Sequence, residues 1–481
     1  MKKIISLILL AAVLLTLCAC QPGKEQAKNA EGFCVGYSKV CIDPEEAVPL
    51  AGYGNHQFRY CTDIIDSIYA TAVAVSDGQG NTVLLINTDM ITTVANIAEM
   101  AQSLISEQTG IPGEQIIITS NHSHSVPDPS MSQEEASARY QQLLIQRISQ
   151  AGVEAVADLQ PATVSYGSAE TVSMNFKRHY YMKDDVTGEI STVGDNFGSS
   201  TGKTMVGHTA EADPTIYVVK FDREGDNDVL LCNWRAHPHF TGGSAVYDLS
   251  SDFVGPFRDA LEVKTGANVV YFQGAAGNVT EKSRINSENL TNSNYQAYGN
   301  MLADYAVQAL ENMTETEPGA VKFLQSEFKG QINHAEDSRF VQAKEVQVVW
   351  STTADKTQTM AIATPYGIRS PYHANAIVAN YSRTDEKDGV MTFNAVQITP
   401  ELAIITFPGE AFDTIGTRVE EASPYDVTLF FGYAYHHIGY LPDEQTWEYT
   451  SYETDITRFV RGTDGQVVQF YLGMLDTISK Q

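Results

Sequence analysis

Two imidazoles lie two residues apart in the string NHSHSVPD, Asn121 to Asp128, directly after the apolar run Gln115-Ile116-Ile117-Ile118-Thr119. In an extended chain residues i and i+2 share a face, so the spacing directs His122 and His124 toward one metal ion or one substrate. Imidazole is both the commonest side-chain metal ligand and the usual general base near neutral pH. A pair of capped or solvated turn histidines has the same spacing, so the rest of the chain has to decide. Three further polar groups follow apolar runs in the same way. Val229 to Asn233 leads to His237, which Pro238 biases toward extended backbone. Leu402 to Phe407 leads through Pro408-Gly409 to Glu410, and Val427 to Tyr433 leads through His436-His437-Ile438-Gly439 to Tyr440. Two imidazoles and a carboxylate suit a catalytic zinc with an open position. Singly, each has a structural alternative: Glu410 as a helix N-terminal charge, His237 as a packed loop residue, Tyr440 as an ordinary half-buried aromatic.

Positioning these groups requires strands that end together. The runs Val83–Asn87, Gln115–Thr119, Ile216–Phe221, Val229–Asn233, Val269–Phe272, Leu402–Phe407 and Val427–Tyr433 predict strands. Helical periodicity predicts helices over Thr92 to Gln108, Ser132 to Leu159, Asn292 to Met313 and Glu410 to Ala422. The second of these opens on the capping box Ser132-Gln133-Glu134-Glu135. Alternation of the two types predicts an α/β fold, mixed β-sheets flanked by helices, with central strands buried on both faces. Polar groups at strand ends in such a sheet converge on one crevice. The stretch from Val321 to Ser382 reads as β-rich and irregular. Residues 33–481 are treated as one catalytic domain, with no internal repeat.

The start of the chain carries an address. Lys2 and Lys3, the apolar stretch Ile4 to Leu17 and the box Leu17-Cys18-Ala19-Cys20 resemble a bacterial lipoprotein signal, residues 1–19, with Cys20 as the lipidated residue. Residues 20–32 then form a flexible tether, and the expected location is extracytoplasmic, anchored to a bacterial membrane. Loss of the signal removes two lysines and no acids, taking the formal charge from −28 to −30. That balance argues against nucleic acid and against electrostatic adhesion to anionic lipid. Cys34, Cys41, Cys61 and Cys232 remain for disulfides in an oxidising compartment. None has C-x-x-C spacing, which disfavours a thiolate metal site.

NHSHSVPD, the AHP at 236–238, QGAAGNV at 273–279, the PGE at 408–410 and the GY at 439–440 stand in the order found in neutral, non-lysosomal ceramidases and their bacterial relatives. LAGYG at 50–54 and SMNFKRHYYMKD, Ser173 to Asp184, extend the resemblance over roughly residues 33 to 455. The resemblance implies zinc, Zn2+, held by His122, His237, Glu410 and Tyr440. Tyr440 is preferred to Tyr449 and Tyr452 because it precedes a family-like segment ending in Tyr452-Glu453. It also implies His124 as the residue that takes and gives a proton, Arg178 as the carbonyl-contacting arginine, and Gly274, Ala275, Ala276, Gly277 and Asn278 as a segment facing substrate. The small residues of that segment could equally serve close strand–helix packing. Asn278 stands where the family has aspartate and Thr280 where it has its active-site serine, and the family's C-terminal β-sandwich domain is not expected here. The implied activity is cleavage of a linear amide bond of an N-acyl lipid or sphingolipid, giving fatty acid and amine. A solute-binding lipoprotein or a metal-dependent esterase of the same fold are the alternatives. A binding protein would not need His122, His237 and Glu410 at three separate strand ends.

Overall fold

Successive residues of the central strands enter two different cores. In the strand Thr82–Thr88, Val83 and Leu85 join one cluster of buried side chains while Leu84 and Ile86 join another. A strand whose faces are both apolar has to be covered twice. The computed structural model describes residues 32–53, 59–130, 134–194, 202–242, 246–285, 294–334, 337–383, 389–435 and 437–481. The export signal, Cys20 and nearly all of the tether lie outside the described residues, as does Ser132 of the expected capping box.

The larger sheet runs, in spatial order, Asn268–Gln273, Val229–Trp234, Thr215–Arg223, Gln160–Glu170, Cys34–Cys41, Tyr69–Ser76, Thr82–Thr88 and Ile116–Ser120, with Thr314–Thr316 paired beside Gln160–Glu170. Its middle is antiparallel and its two edges are parallel pairs. Helices Ala95–Thr109 and Val254–Thr265 make the crossovers within those parallel pairs. A second sheet runs Lys322–Lys329, Val390–Thr399, Leu402–Thr406 and Val427–Phe431, and helix Asp413–Ala422 bridges its parallel pair. The sheets pack face to face through a shared core containing Val83, Leu85, Ile117, Val229 and Leu231 from one and Val396, Leu402, Ile404 and Leu429 from the other. Phe272 and Phe431 stack across it at 4.1 Å. Helices cover the outer faces, giving four layers, helix–sheet–sheet–helix. The parallel pairs of the two large sheets send strand carboxyl ends toward one place, and that convergence positions the site.

The predicted helices form as Ala95–Thr109, Glu135–Ala157, Tyr295–Leu310 and Asp413–Ala422. The first stops at Gly110, whose φ of 78° is left-handed. Asn294 caps the third by accepting from the Ala297 N–H. The stretch from Val321 to Ser382 differs from its β-rich reading: after Lys322–Lys329 it is helical over Phe340–Thr353, Lys356–Ala363 and Pro371–Ser382. Val346, Val348, Val349 and Trp350 favour strand locally. Ala343 and Val346 nevertheless sit three apart and pack on Ala374 and Ile377 in a small core of their own, so tertiary burial overrides propensity. Cys34, Cys41, Cys61 and Cys232 form no disulfide. Cys34 and Cys41 end one eight-residue strand, which at about 3.3 Å per residue holds them too far apart to bridge. No helix among the described residues is long and apolar enough to cross a membrane.

Candidate metal centre

His122 does not lie on an extended strand. The strand Ile116–Ser120 has ended, and His122 takes a left-handed φ of 68°. The i, i+2 argument therefore does not account for the pairing of His122 with His124. A turn does, with the two rings meeting edge to face at 4.9 Å. The unusual backbone is fastened on both sides: the His122 N–H donates to the Met90 carbonyl at 2.9 Å and its ring stacks on Tyr433 at 4.3 Å.

The imidazoles of His122 and His237 are oriented alike. His122 Nδ1 lies 2.7 Å from the Ile91 carbonyl oxygen, and His237 Nδ1 lies 2.9 Å from that of Val279. A carbonyl oxygen only accepts, so both Nδ1 atoms carry a proton, and in the neutral ring Nε2 is the nitrogen left with a lone pair. Those Nε2 atoms face one carboxylate oxygen, Glu410 Oε2, at 3.4 Å from His122 and 3.1 Å from His237. Burial pushes the His237 imidazole down to about 3, with the Arg178 guanidinium adding to the effect, so it is neutral at physiological pH. Burial alone would raise the Glu410 carboxyl, but His122, His237 and His437 hold it well below the usual carboxylate range. Two imidazole nitrogens within 3.4 Å of one buried carboxylate oxygen converge on a point that a cation can occupy. Carbonyl-anchored imidazoles around a buried carboxylate are the donor set and outer support of a divalent metal site. His122, His124 and His237 also bring one ring nitrogen each within 4.8 Å of one another. These residues fit a zinc ion.

Glu410 is not a helix N-terminal charge. The helix starts at Asp413, and Glu410–Ala411 pairs in parallel with Tyr440–Leu441, Glu410 opposite Tyr440. That pairing places Tyr440 beside the carboxylate. Its hydroxyl is 3.1 Å from Arg178 Nη2, and burial, then the Glu410 charge, push the phenol up while Arg178 pulls it down. Arg178 itself is buried, with Nε donating to Glu453 Oε1 at 3.0 Å and Nη2 to the Gly277 carbonyl at 2.8 Å. Burial opposes the Glu453 charge, yet Arg178 and His179 bring its carboxyl down to about 2.

Gly274, Ala275, Ala276, Gly277 and Asn278 are all buried in the wall behind Glu410. The packing reading of the small residues has visible contacts. A Cβ on Gly277 would stand 2.5 Å from the Glu410 carbonyl oxygen, and one on Gly274 would stand 3.1 Å from the Arg235 Cβ. The Asn278 side chain accepts the Asp413 N–H at 2.9 Å and so fastens the start of the following helix. Thr280 is half-buried, and its hydroxyl donates to Glu281 Oε2 at 2.8 Å. Gly277→Ala is expected to push the Glu410 strand outward. We expect about 1–3 kcal/mol of lost stability and about tenfold weaker zinc binding, read by thermal denaturation and zinc titration. Gly113→Ala, which meets nothing within 4 Å, is the control. Unchanged zinc affinity in Gly277→Ala would show that this contact does not set the carboxylate.

Sequence reasoning left four residues of the cluster unassigned. His437 Nε2 reaches Glu410 Oε1 at 2.9 Å, His239 stacks on His237 at 4.7 Å, Glu281 Oε2 is 3.4 Å from His239 Nδ1, and Tyr433 backs His122. The signal for His239 was present, because 237–239 repeats the H-x-H of 122–124.

Comparison with solved structures recovers the same architecture. The neutral ceramidase from Pseudomonas aeruginosa superposes with a TM-score of 0.70 at 15% identity, over 94% of this chain and 75% of that one. This chain has the neutral ceramidase fold. A ceramidase solved in complex with C2 gives 0.69 at 15% identity, over 94% of this chain and 76% of the other. No protein-family model matches the sequence, and no curated protein matches it by sequence. The ceramidase fold brings together at one centre His122, His124, His237 and Glu410, which lie up to 288 positions apart in the sequence, with Tyr440 and Arg178 joined directly behind it.

Proposed function

We propose that this protein is a zinc-dependent hydrolase that cleaves the linear amide of an N-acyl lipid, as a ceramidase does, releasing fatty acid and amine. The observation that carries the reading is the pair of carbonyl-anchored imidazoles of His122 and His237 whose Nε2 atoms both turn onto Glu410 Oε2. When bound, zinc supplies Lewis acidity and makes water nucleophilic near neutral pH. His122, His237, Glu410 and Tyr440 hold the ion. Arg178 keeps the Tyr440 phenol oriented and presents positive charge to the substrate carbonyl. His124 carries a proton to the departing amine, which leaves poorly as an anion; burial, then the three neighbouring imidazoles, lower its pKa and keep the resting ring neutral. Residues 274–278 form the buried wall that sets Glu410, and half-buried Thr280 stands at its open edge. The chain is exported and anchored through acylated Cys20 to the outer face of a bacterial membrane, where N-acyl lipids are at hand.

Purified protein stripped with a chelator is expected to lose more than about tenfold of its activity on short-chain N-acyl sphingosine and to regain it with zinc. The same screen should include matched esters. Ester turnover without amide turnover would replace amidase by esterase. Ligand binding that persists in chelator with no turnover of any acyl compound would overturn the hydrolase reading in favour of a solute-binding protein.

A further inference from the structure

We propose that His124, His239 and Glu281 form a second divalent-cation site beside the first. The inference rests on the reading of His122, His237 and Glu410 as a metal centre and deepens it. The chain carries two H-x-H pairs, His122-Ser123-His124 and His237-Pro238-His239, and two carboxylates buried against them, Glu410 and Glu281. One histidine of each pair, with Glu410, makes the first set. The other histidine of each pair, with Glu281, makes a second set of the same composition.

The geometry places the members side by side. The rings of His124 and His239 meet edge-on at 4.5 Å, and His239 Nδ1 is 3.4 Å from Glu281 Oε2. The Glu281 side chain is only 2% exposed. The polar contacts seen at its carboxylate are the Thr280 hydroxyl at 2.8 Å, His239, and the half-solvated Lys282 ammonium at 3.7 Å. A carboxylate so enclosed calls for a stronger cationic partner than a distant lysine. His124 supplies the independent observation. Both of its ring nitrogens are sealed from solvent, and neither has a hydrogen-bond partner. An imidazole normally has at least one nitrogen satisfied when buried, and a metal ion satisfies one without a hydrogen bond. Two nitrogens and one carboxylate oxygen suit zinc. His124 lies within 4.8 Å of the ligand atoms of both His122 and His237, which is compatible with paired cations about 3.5–4 Å apart. His124 is free to carry the proton while the second site is empty and becomes a ligand when that site is filled, so the second ion would regulate the proton transfer assigned to His124 above.

The full chain, stripped and then saturated with zinc, is tested by elemental analysis after removal of unbound ion. About two zinc ions per chain are expected in the wild type and about one in Glu281→Gln and in His239→Gln, with far-UV circular dichroism confirming that each variant is folded. Loaded with manganese(II), the wild type should give an exchange-coupled paramagnetic resonance signal that both variants lose. Saturation of the wild type at one zinc, or retention of two by the variants, overturns the second site and leaves the first standing. A wild type that binds none overturns both.

Discussion

Glu410→Gln is expected to lower zinc affinity by at least about a hundredfold and hydrolysis by about a thousandfold, the latter equivalent to about 4 kcal/mol. Glutamine keeps the shape of the side chain and its place opposite Tyr440 in the short parallel pair, so the loss reports charge and ligation rather than collapse. The arithmetic of the site makes this residue the largest single term. His122 and His237 have their Nδ1 protons committed to backbone carbonyls, and Glu410 is the one formal anion between them. Removing it leaves a dication facing imidazoles and a phenol that burial keeps protonated. Glu420→Gln is the matched control: Glu420 is also buried, but its partner is Arg235 at 2.6 Å, away from the imidazoles. That variant should lose stability and keep its zinc. Zinc titration and activity on the same preparations separate the cases. A Glu410→Gln protein that binds zinc like the wild type would sink the metal-centre reading.

Much of this centre was legible because each member follows an apolar run, and such runs declare where strands end. His122, His237 and Glu410 were picked out that way, and the two-residue pairing of Glu410 with Tyr440 brings that tyrosine next to the carboxylate. What a run cannot reveal is backbone outside the strand. The left-handed turn at His122 depends on carbonyls of Met90 and Ile91 some thirty residues earlier, and no local pattern encodes a contact at that range. Glu281 and His437 were illegible for a related reason: each becomes meaningful through a neighbour contributed by another segment. The strand Gln160–Glu170 escaped because its residues are mostly half-exposed and carry no apolar run, being recruited by pairing with Thr215–Arg223. The helices of residues 340–382 were hidden by β-branched residues whose local preference lost to packing.

Asp89→Ala is expected to destabilise the protein by about 3–5 kcal/mol, the cost of stranding a buried charge when its partner is removed. Asp89 is fully buried and takes two hydrogen bonds from the Arg258 guanidinium, one of them at 2.7 Å. The same carboxylate accepts the Tyr69 N–H at 2.9 Å and the Asn121 side-chain amide at 2.8 Å. Alanine therefore leaves a buried cation and two donors without an acceptor, deep in the layer that joins helix Val254–Thr265 to the sheet. Asn121 is the residue before His122, and its side-chain oxygen accepts the Ser123 N–H at 3.1 Å. Asp89 thus braces the turn that puts His122 in its left-handed conformation. Loss of that brace should weaken zinc binding about 10–100-fold, as expected of an outer support rather than a ligand. The pair Asp89→Leu with Arg258→Met removes both charges together and should recover most of the stability. It should not recover the zinc affinity, because the Asn121 amide still lacks its acceptor. Urea unfolding reads the first quantity and zinc titration the second. If the double variant regained both, the bridge would be serving the core alone, and the ordering of the His122 turn would have to come from Tyr433 and the Met90 and Ile91 carbonyls.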